Sequence, residues 1–333
     1  MKVLIVGGTG LISTGIVEQL LARGASVTLF NRGKRPSARA PVSVIVGDRD
    51  VPGEFEGRLA RERFDAVIDM ICFSPAQAEA TVRAFAGRTE QLLFCSTVCT
   101  YGVDIPPHVL IDETFAQRPL NEYARNKLVC EQRLRRAESD GAFKTTIVRP
   151  SNTYGPGAAL IDQMEFDSAV WDRVEKGLPV LLAGDGLGLW QSTHRSDVGR
   201  FFAHAVGNPR AYGEDFNATR EHVFTWRDYY REAAQALGVS AQLVLAPAGW
   251  VVAQSPKRFG FLDEISRYHG AYDSEKARRV VPEFAGAIDF VTGASETFAD
   301  IKRRGAWRRH EDDAEYDALV RRALALGFEK LSA

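Results

Sequence analysis

No stretch of this chain is apolar for long enough to cross a membrane or serve as an export signal; the first hydrophobic run, Val3 to Val6, is cut by Gly7. A cytoplasmic location is the expectation. An excess of one charge is also missing. Lys and Arg number 42 against 43 Asp and Glu, a formal net charge of -1, so neither nucleic acid nor an anionic membrane is expected as a partner. A local pocket for a small molecule needs no net charge. The four cysteines, Cys72, Cys95, Cys99 and Cys130, have no paired CxxC spacing and no histidines beside them. That sets aside disulfide and metal roles in favour of buried free thiols, and no metal site is expected. Internal repeats and low-complexity tracts are absent.

What is present is a chain of 333 residues, 45% hydrophobic and 26% charged, long enough for one large α/β unit and a smaller lobe. Short runs rich in β-branched residues (KVLIV, SVTLF, VSVIV, FDAVIDM, QLLFCS, TTIVRP) alternate with segments of helical period. This is the pattern of a doubly wound parallel sheet with helices on both faces. Residues 1–155 read as a Rossmann dinucleotide-binding domain, to which segments around 190–220 return. After Gly155-Pro156-Gly157 the character changes, and 156–333 reads mainly as a smaller α+β substrate lobe with helices over Trp226–Leu237 and around Tyr316–Leu324. The arginines at 303, 304, 308 and 309 read as a solvated surface.

The first strand runs into Gly7-Gly8-Thr9-Gly10-Leu11-Ile12-Ser13, a turn of the form GxxGxxG that lacks its third glycine. Between a strand and a helix, such glycines let backbone approach a pyrophosphate, and the helix N-terminus offers unpaired N–H groups. Gly7, Gly10, Leu11 and Ile12 are therefore cofactor candidates. Serine is small enough to stand at the third position, whose role is close packing. At the end of the second strand an acid that would bind a ribose hydroxyl is missing; Asn31 stands there, with Arg32, Lys34 and Arg35 around it. Cations suit a 2′-phosphate, which favours NADP over NAD. Asp48 follows the third strand as a candidate partner for the adenine amine.

Tyr123 and Lys127, four residues apart, share a helix face, and an ammonium there is expected to lower the phenol from its ordinary value near 10. With the glycine turn, the run Phe94 to Gly102, Glu131, Arg149 to Gly157, Gly184-Asp185-Gly186, Asp197, Phe216-Asn217 and Asp273 to Ala277, this pair makes an ordered set along most of the chain. Together they resemble the extended short-chain dehydrogenase/reductases, the branch of nucleotide-sugar epimerases and dehydratases. The resemblance implies that Tyr123 is the acid/base, that Lys127 tunes it and holds the nicotinamide ribose, that Thr97 bonds the reacting oxygen, and that Asn152 faces the substrate. It also implies a homodimer.

Two further absences shape the reaction. The Asp-Glu pair that dehydratases carry after the threonine is replaced by Val98 and Cys99, which counts against dehydration. The arginine that usually follows the GDG loop and grips a diphosphate is replaced by Trp190, a candidate to stack on a sugar or base face, leaving Arg195 as a substitute cation or the substrate without a diphosphate. His194 reads as a packed structural residue, and Asp69 to Phe73 make one pocket wall bulkier and more apolar than is usual. The leading expectation is an NAD(P)-dependent epimerase of a nucleotide sugar. The alternatives are a reductase or dehydrogenase of a sugar or small carbonyl compound, and a non-catalytic dinucleotide sensor or RNA-associated scaffold.

Overall fold

The structure is a computed structural model, and it describes every residue except 35–40, 107–108 and 286–287. The first six strands are β1 (Lys2–Val6), β2 (Ser26–Asn31), β3 (Ser43–Val46), β4 (Ala66–Asp69), β5 (Gln91–Cys95) and β6 (Lys144–Pro150). A later strand, Glu214–Ala218, joins them in a seven-stranded sheet; counted along the chain it is β11, after β7 (Asn152–Tyr154), β8 (Val180–Ala183), β9 (Leu189–Trp190) and β10 (Ser192–His194). The order is β11-β6-β5-β4-β1-β2-β3, and every pairing is parallel. Because β1 lies between β2 and β4, the winding reverses beside it and opens a crevice at the carboxyl ends of the strands.

Helices cover both faces, which is why the central strands are apolar without interruption. Val3, Ile5, Leu29, Ile68, Leu93 and Val148 point to one side and pack with Ile16 and Leu20 of α1 (Leu11–Ala22) and with Val198, Phe201 and Phe202. Leu4, Val6, Val67, Leu92, Phe94 and Ile147 point to the other, against α2 (Glu54–Leu59), α3 (Pro75–Phe85) and α4 (Glu122–Ser139). Each such aliphatic side chain gains about 1.5–3 kcal/mol by leaving water. Helix α1 closes at Gly24, whose φ of +74° is the left-handed geometry a helix end favours in glycine.

After α5 (Ala169–Glu175), helix α6 (Arg195–Ala205) returns to the sheet and crosses α1 backbone to backbone. A Cβ on Gly15 would lie 2.5 Å from the Arg195 carbonyl oxygen, and one on Gly199 would lie 2.4 Å from the Gly15 carbonyl carbon. Gly15 thus supplies the close packing expected of the missing third glycine, while Ser13 is simply buried.

A second hydrophobic core gathers Trp171, Trp226, Tyr229, Tyr230, Phe290, Phe298 and Tyr316. Around it β8 pairs with β13 (Gln242–Ala246), which pairs with β14 (Lys330–Ser332), and β9 pairs with β12 (Phe224–Thr225). The expected helices are present as α7 (Trp226–Ala236), started by a Thr225/Asp228 capping box, and Ala314–Ala325. Among the described residues no helix is long and apolar enough to cross a membrane.

Candidate active site

The ends of six strands converge on one cleft of about 690 Å³, lined by Gly7, Gly10, Leu11 and Ile12 after β1, Asn31 and Arg32 after β2, and Asp48 after β3. Met70, Ile71 and Phe73 follow β4, Thr97 follows β5, Ser151 and Thr153 follow β6, and Tyr123 and Lys127 project from α4. The volume is that of a cofactor-sized pocket. Gly7 (φ +113°) and Gly8 (φ +68°) bend the chain out of β1, and a Cβ on Gly8 would lie 2.7 Å from Leu29. Gly10 caps α1 without a side chain, so the cap leaves the first-turn N–H groups for a ligand. These features fit the pyrophosphate of a dinucleotide.

At the far end of the cleft Asn31 spends its side-chain oxygen on the Gly33 N–H, 2.8 Å away, and Asp48 accepts from the Asp50 N–H at 3.1 Å. Arg32 and Lys34 line the opening; Arg35 lies outside the described residues. A residue that no sequence motif marks, Arg49, is a buried guanidinium bonded to Asp69 at 2.7 Å and to Thr81 and the Gln77 carbonyl at 3.0 Å. These partners are 20 to 32 residues away in sequence, and only the fold brings them together.

Helix α4 begins at Asn121, whose side chain caps the Ala124 N–H at 2.9 Å, so Tyr123 stands in its first turn facing the cleft. Thr97 caps the next short turn, its hydroxyl accepting from the Cys99 N–H at 3.2 Å, and it also bonds the Tyr123 phenol. Lys127 departs from expectation. Its ammonium donates to the Cys95 carbonyl at 2.7 Å and is packed against the Phe73 ring (4.5 Å) and the Phe94 ring (4.8 Å), 6.0 Å from the Tyr123 centroid. The phenol is accordingly not lowered. Burial of the hydroxyl pushes it above its ordinary value although the ring is 46% exposed; Cys95 and Cys99 add to the rise, and the Thr97 bond only partly offsets it. Phe73, from the apolar wall after β4, thus contributes to the ammonium's setting.

Beneath the pair, Glu131 of α4 receives Ser96 and two bonds from Arg149, at 3.0 and 2.6 Å. Arg149 also reaches Tyr101 (3.0 Å) and Asp215 (2.8 Å), and Tyr101 donates to Asn217 at 2.8 Å. This network ties the ends of β5, β6 and β11 to α4.

The three expected substrate residues separate. In β7, side chains alternate, so Ser151 and Thr153 line the cleft while Asn152 turns toward Ser192, which donates to it at 2.9 Å. The Trp190 indole donates to the same hydroxyl at 3.1 Å and stacks on Trp226 at 4.7 Å, joining Trp190 to Asn152 through one serine. Arg195 does not come to the cleft: it opens α6 and reaches back to Glu18 of α1, 3.4 Å away. His194 caps α6 through its Nδ1 and packs edge-on to Tyr154, with burial and the nearby Arg195 and Arg200 lowering it to about 4. All four cysteines are free. Asp172, His310 and Glu311 offer ligand atoms within 4.8 Å of one another, but Asp172 already accepts from Trp307, Lys176 and the His310 backbone.

The model of the NAD dependent epimerase/dehydratase family matches residues 3–219. A 2'-dehydrokanamycin reductase of Streptomyces kanamyceticus is 31% identical, covering 85% of this chain and 80% of its own. The chloroplast stem-loop binding protein of 41 kDa b of Arabidopsis thaliana is 28% identical across 98% of this chain and 85% of its own. In fold, the chain is similar to a Thermotoga maritima UDP-glucose 4-epimerase solved with UDP-glucose: TM-score 0.73, 19% identity, 91% of this chain and 99% of that one.

Proposed function

The chain belongs to the NAD dependent epimerase/dehydratase family, and on that premise we propose an epimerase-like enzyme that interconverts a sugar carbinol and its ketone, with Tyr123 exchanging the proton of the reacting oxygen. The observation that carries this reading is the meeting of Thr97, Tyr123 and Lys127 in the cleft that the glycine turn opens. A bound nicotinamide dinucleotide supplies the hydride acceptor or donor. Thr97 holds the substrate oxygen beside the phenol, and Lys127 stands ready to bind a ribose hydroxyl. Gly7, Gly10, Leu11 and Ile12 hold the pyrophosphate, with Asn31, Arg32 and Asp48 at the adenosine end. Arg32 and Lys34 support NADP over NAD. Residues 1–155 serve the cofactor and 156–333 mainly the substrate, in a cytoplasmic homodimer of the kind the family resemblance implies.

Whether the ketone is re-reduced within one cycle, as in a nucleotide-sugar epimerase, or is the substrate of net reduction turns on the substrate side. One observation favours net reduction: the reductase relative aligns over 85% of the chain, a span that must include most of residues 156–333. The stem-loop binding relative keeps an RNA-associated scaffold as the opposing reading; the cleft trio and the net charge of -1 weigh against it.

Turnover of sugar ketones with NADPH, followed by nicotinamide absorbance, tests the proposal. Tyr123→Phe is expected to lose about 10²–10⁴-fold in rate while binding dinucleotide as the parent does. Equal turnover by the variant would overturn the role of Tyr123, and absence of turnover in the parent with RNA binding intact would favour the scaffold.

A further inference from the structure

With Tyr123 taken as the proton-exchanging group, a second, much smaller cavity lies at the start of the helix that carries it. Cys99, Asn121, Trp190, Glu264 and Tyr272 line its walls. Cys99 is held to Thr97 by its backbone N–H at 3.2 Å, and Asn121 caps the helix that carries Tyr123, so two of the cavity's walls are tied to the two residues that would hold the reacting oxygen. Its charge is unusual for a site that takes a nucleoside diphosphate. Among the described residues lining it there is one carboxylate, Glu264, one histidine, His269, whose Nδ1 accepts the Leu189 N–H at 3.1 Å, and no lysine or arginine. The position where an arginine would grip a diphosphate holds Trp190, 7% exposed, with its ring stacked on Trp226 and its N–H spent on Ser192. Arg195, the cation expected to substitute for it, is turned to Glu18.

Glu264 sits on a π-turn, Leu262–Ser266, a helical irregularity found often at functional sites. Its carboxylate accepts from Asn121 Nδ2 at 3.3 Å, a bond that couples this turn to the start of α4. The cavity, open to solvent beside the exposed Glu264, has a volume of about 30 Å³, enough for a group the size of water or ammonium and too small for a phosphate. A substrate ammonium would find the exposed Glu264 carboxylate, an amide oxygen and aromatic walls.

We propose that the substrate is an amine-bearing sugar without a diphosphate, and that Glu264 is the specificity-determining carboxylate that receives its ammonium. This deepens the sugar reading of the same site and is tested apart from turnover, by equilibrium binding.

The probes are glucosamine, glucose and UDP-glucose, titrated into the full chain and read by Trp fluorescence, with NADPH binding measured in parallel. Glucosamine is expected to bind about ten-fold more tightly than glucose, the effect of one well-placed ion pair, and UDP-glucose more weakly than either. Glu264→Gln is expected to erase the preference and Glu264→Asp to keep part of it. UDP-glucose binding tightest, no preference for the amine, or a preference surviving Glu264→Gln would overturn the proposal. Should Glu264→Gln not fold, the order of the three probes on the parent decides. A failure of NADPH to bind would instead strike at the enzymatic reading, whatever the sugars do.

Discussion

His194 illustrates how one side chain makes stability depend on pH. Its ring accepts the Ser196 N–H with Nδ1 and lies in contact with Tyr154, 2% exposed, so adding a proton breaks the cap and places a cation near Arg195 and Arg200. Its folded value of about 4 lies below the ordinary 6.5. The folded state therefore binds fewer protons, and the stability this residue contributes is full above pH 6.5 and is lost as pH falls toward 4. Urea titrations across that window should show a steep loss in the parent and a shallower one in His194→Asn, whose amide can still cap α6. A slope unchanged by the substitution would contradict the assignment. At Tyr123 the same physics runs the other way: burial retains the proton, and Tyr123→Phe removes the donor without removing the ring.

At the scale of elements, the crossing of α1 and α6 positions the glycine turn. Both helices lack a side chain at the contact, and Gly199→Ala would drive a methyl into the Gly15 backbone at 2.4 Å. A loss of about 1–3 kcal/mol in urea unfolding is expected, with weaker dinucleotide binding as the start of α1 shifts. Binding unchanged despite that loss would show that the turn is positioned by β1 alone. Elements of this kind were unevenly legible in the sequence. The six β-branched runs stand where periodicity puts them; in five of them burial makes the apolar signal strong, while β3, at the sheet edge, keeps its β-branched residues though Val44 and Val46 are exposed. Strand β11, EDFNA, has no β-branched residue, so the sequence marks it only as part of a segment that returns to the sheet. The placement of Gly15 against Gly199 was not legible, since helix contacts across 184 residues leave no local pattern. For Asn152, Arg195 and Lys127, strand alternation, the partner Glu18 and the Cys95 carbonyl decide where the side chains go, and none of these is visible in a local stretch of sequence.

Across the whole molecule, the cleft exists because strands scattered from residue 2 to residue 218 end at one edge, held there by buried polar ties. Glu131 and Arg149 join α4 to β6 and, through Asp215, to β11. A ligand that spans the cleft bridges the ends of β1, β2, β3 and β5, so binding should stabilise the fold as a unit, by about 2.7 kcal/mol at a hundred times its dissociation constant. The most direct measurement of the central claim is a fluorescence titration of NADPH and of NADH into the full chain, repeated with Arg32→Glu. One dinucleotide per chain is predicted, NADPH the tighter, with the preference lost or inverted in the variant. Failure of the parent to bind either dinucleotide would contradict the account, and equal preference in parent and variant would contradict the role of Arg32.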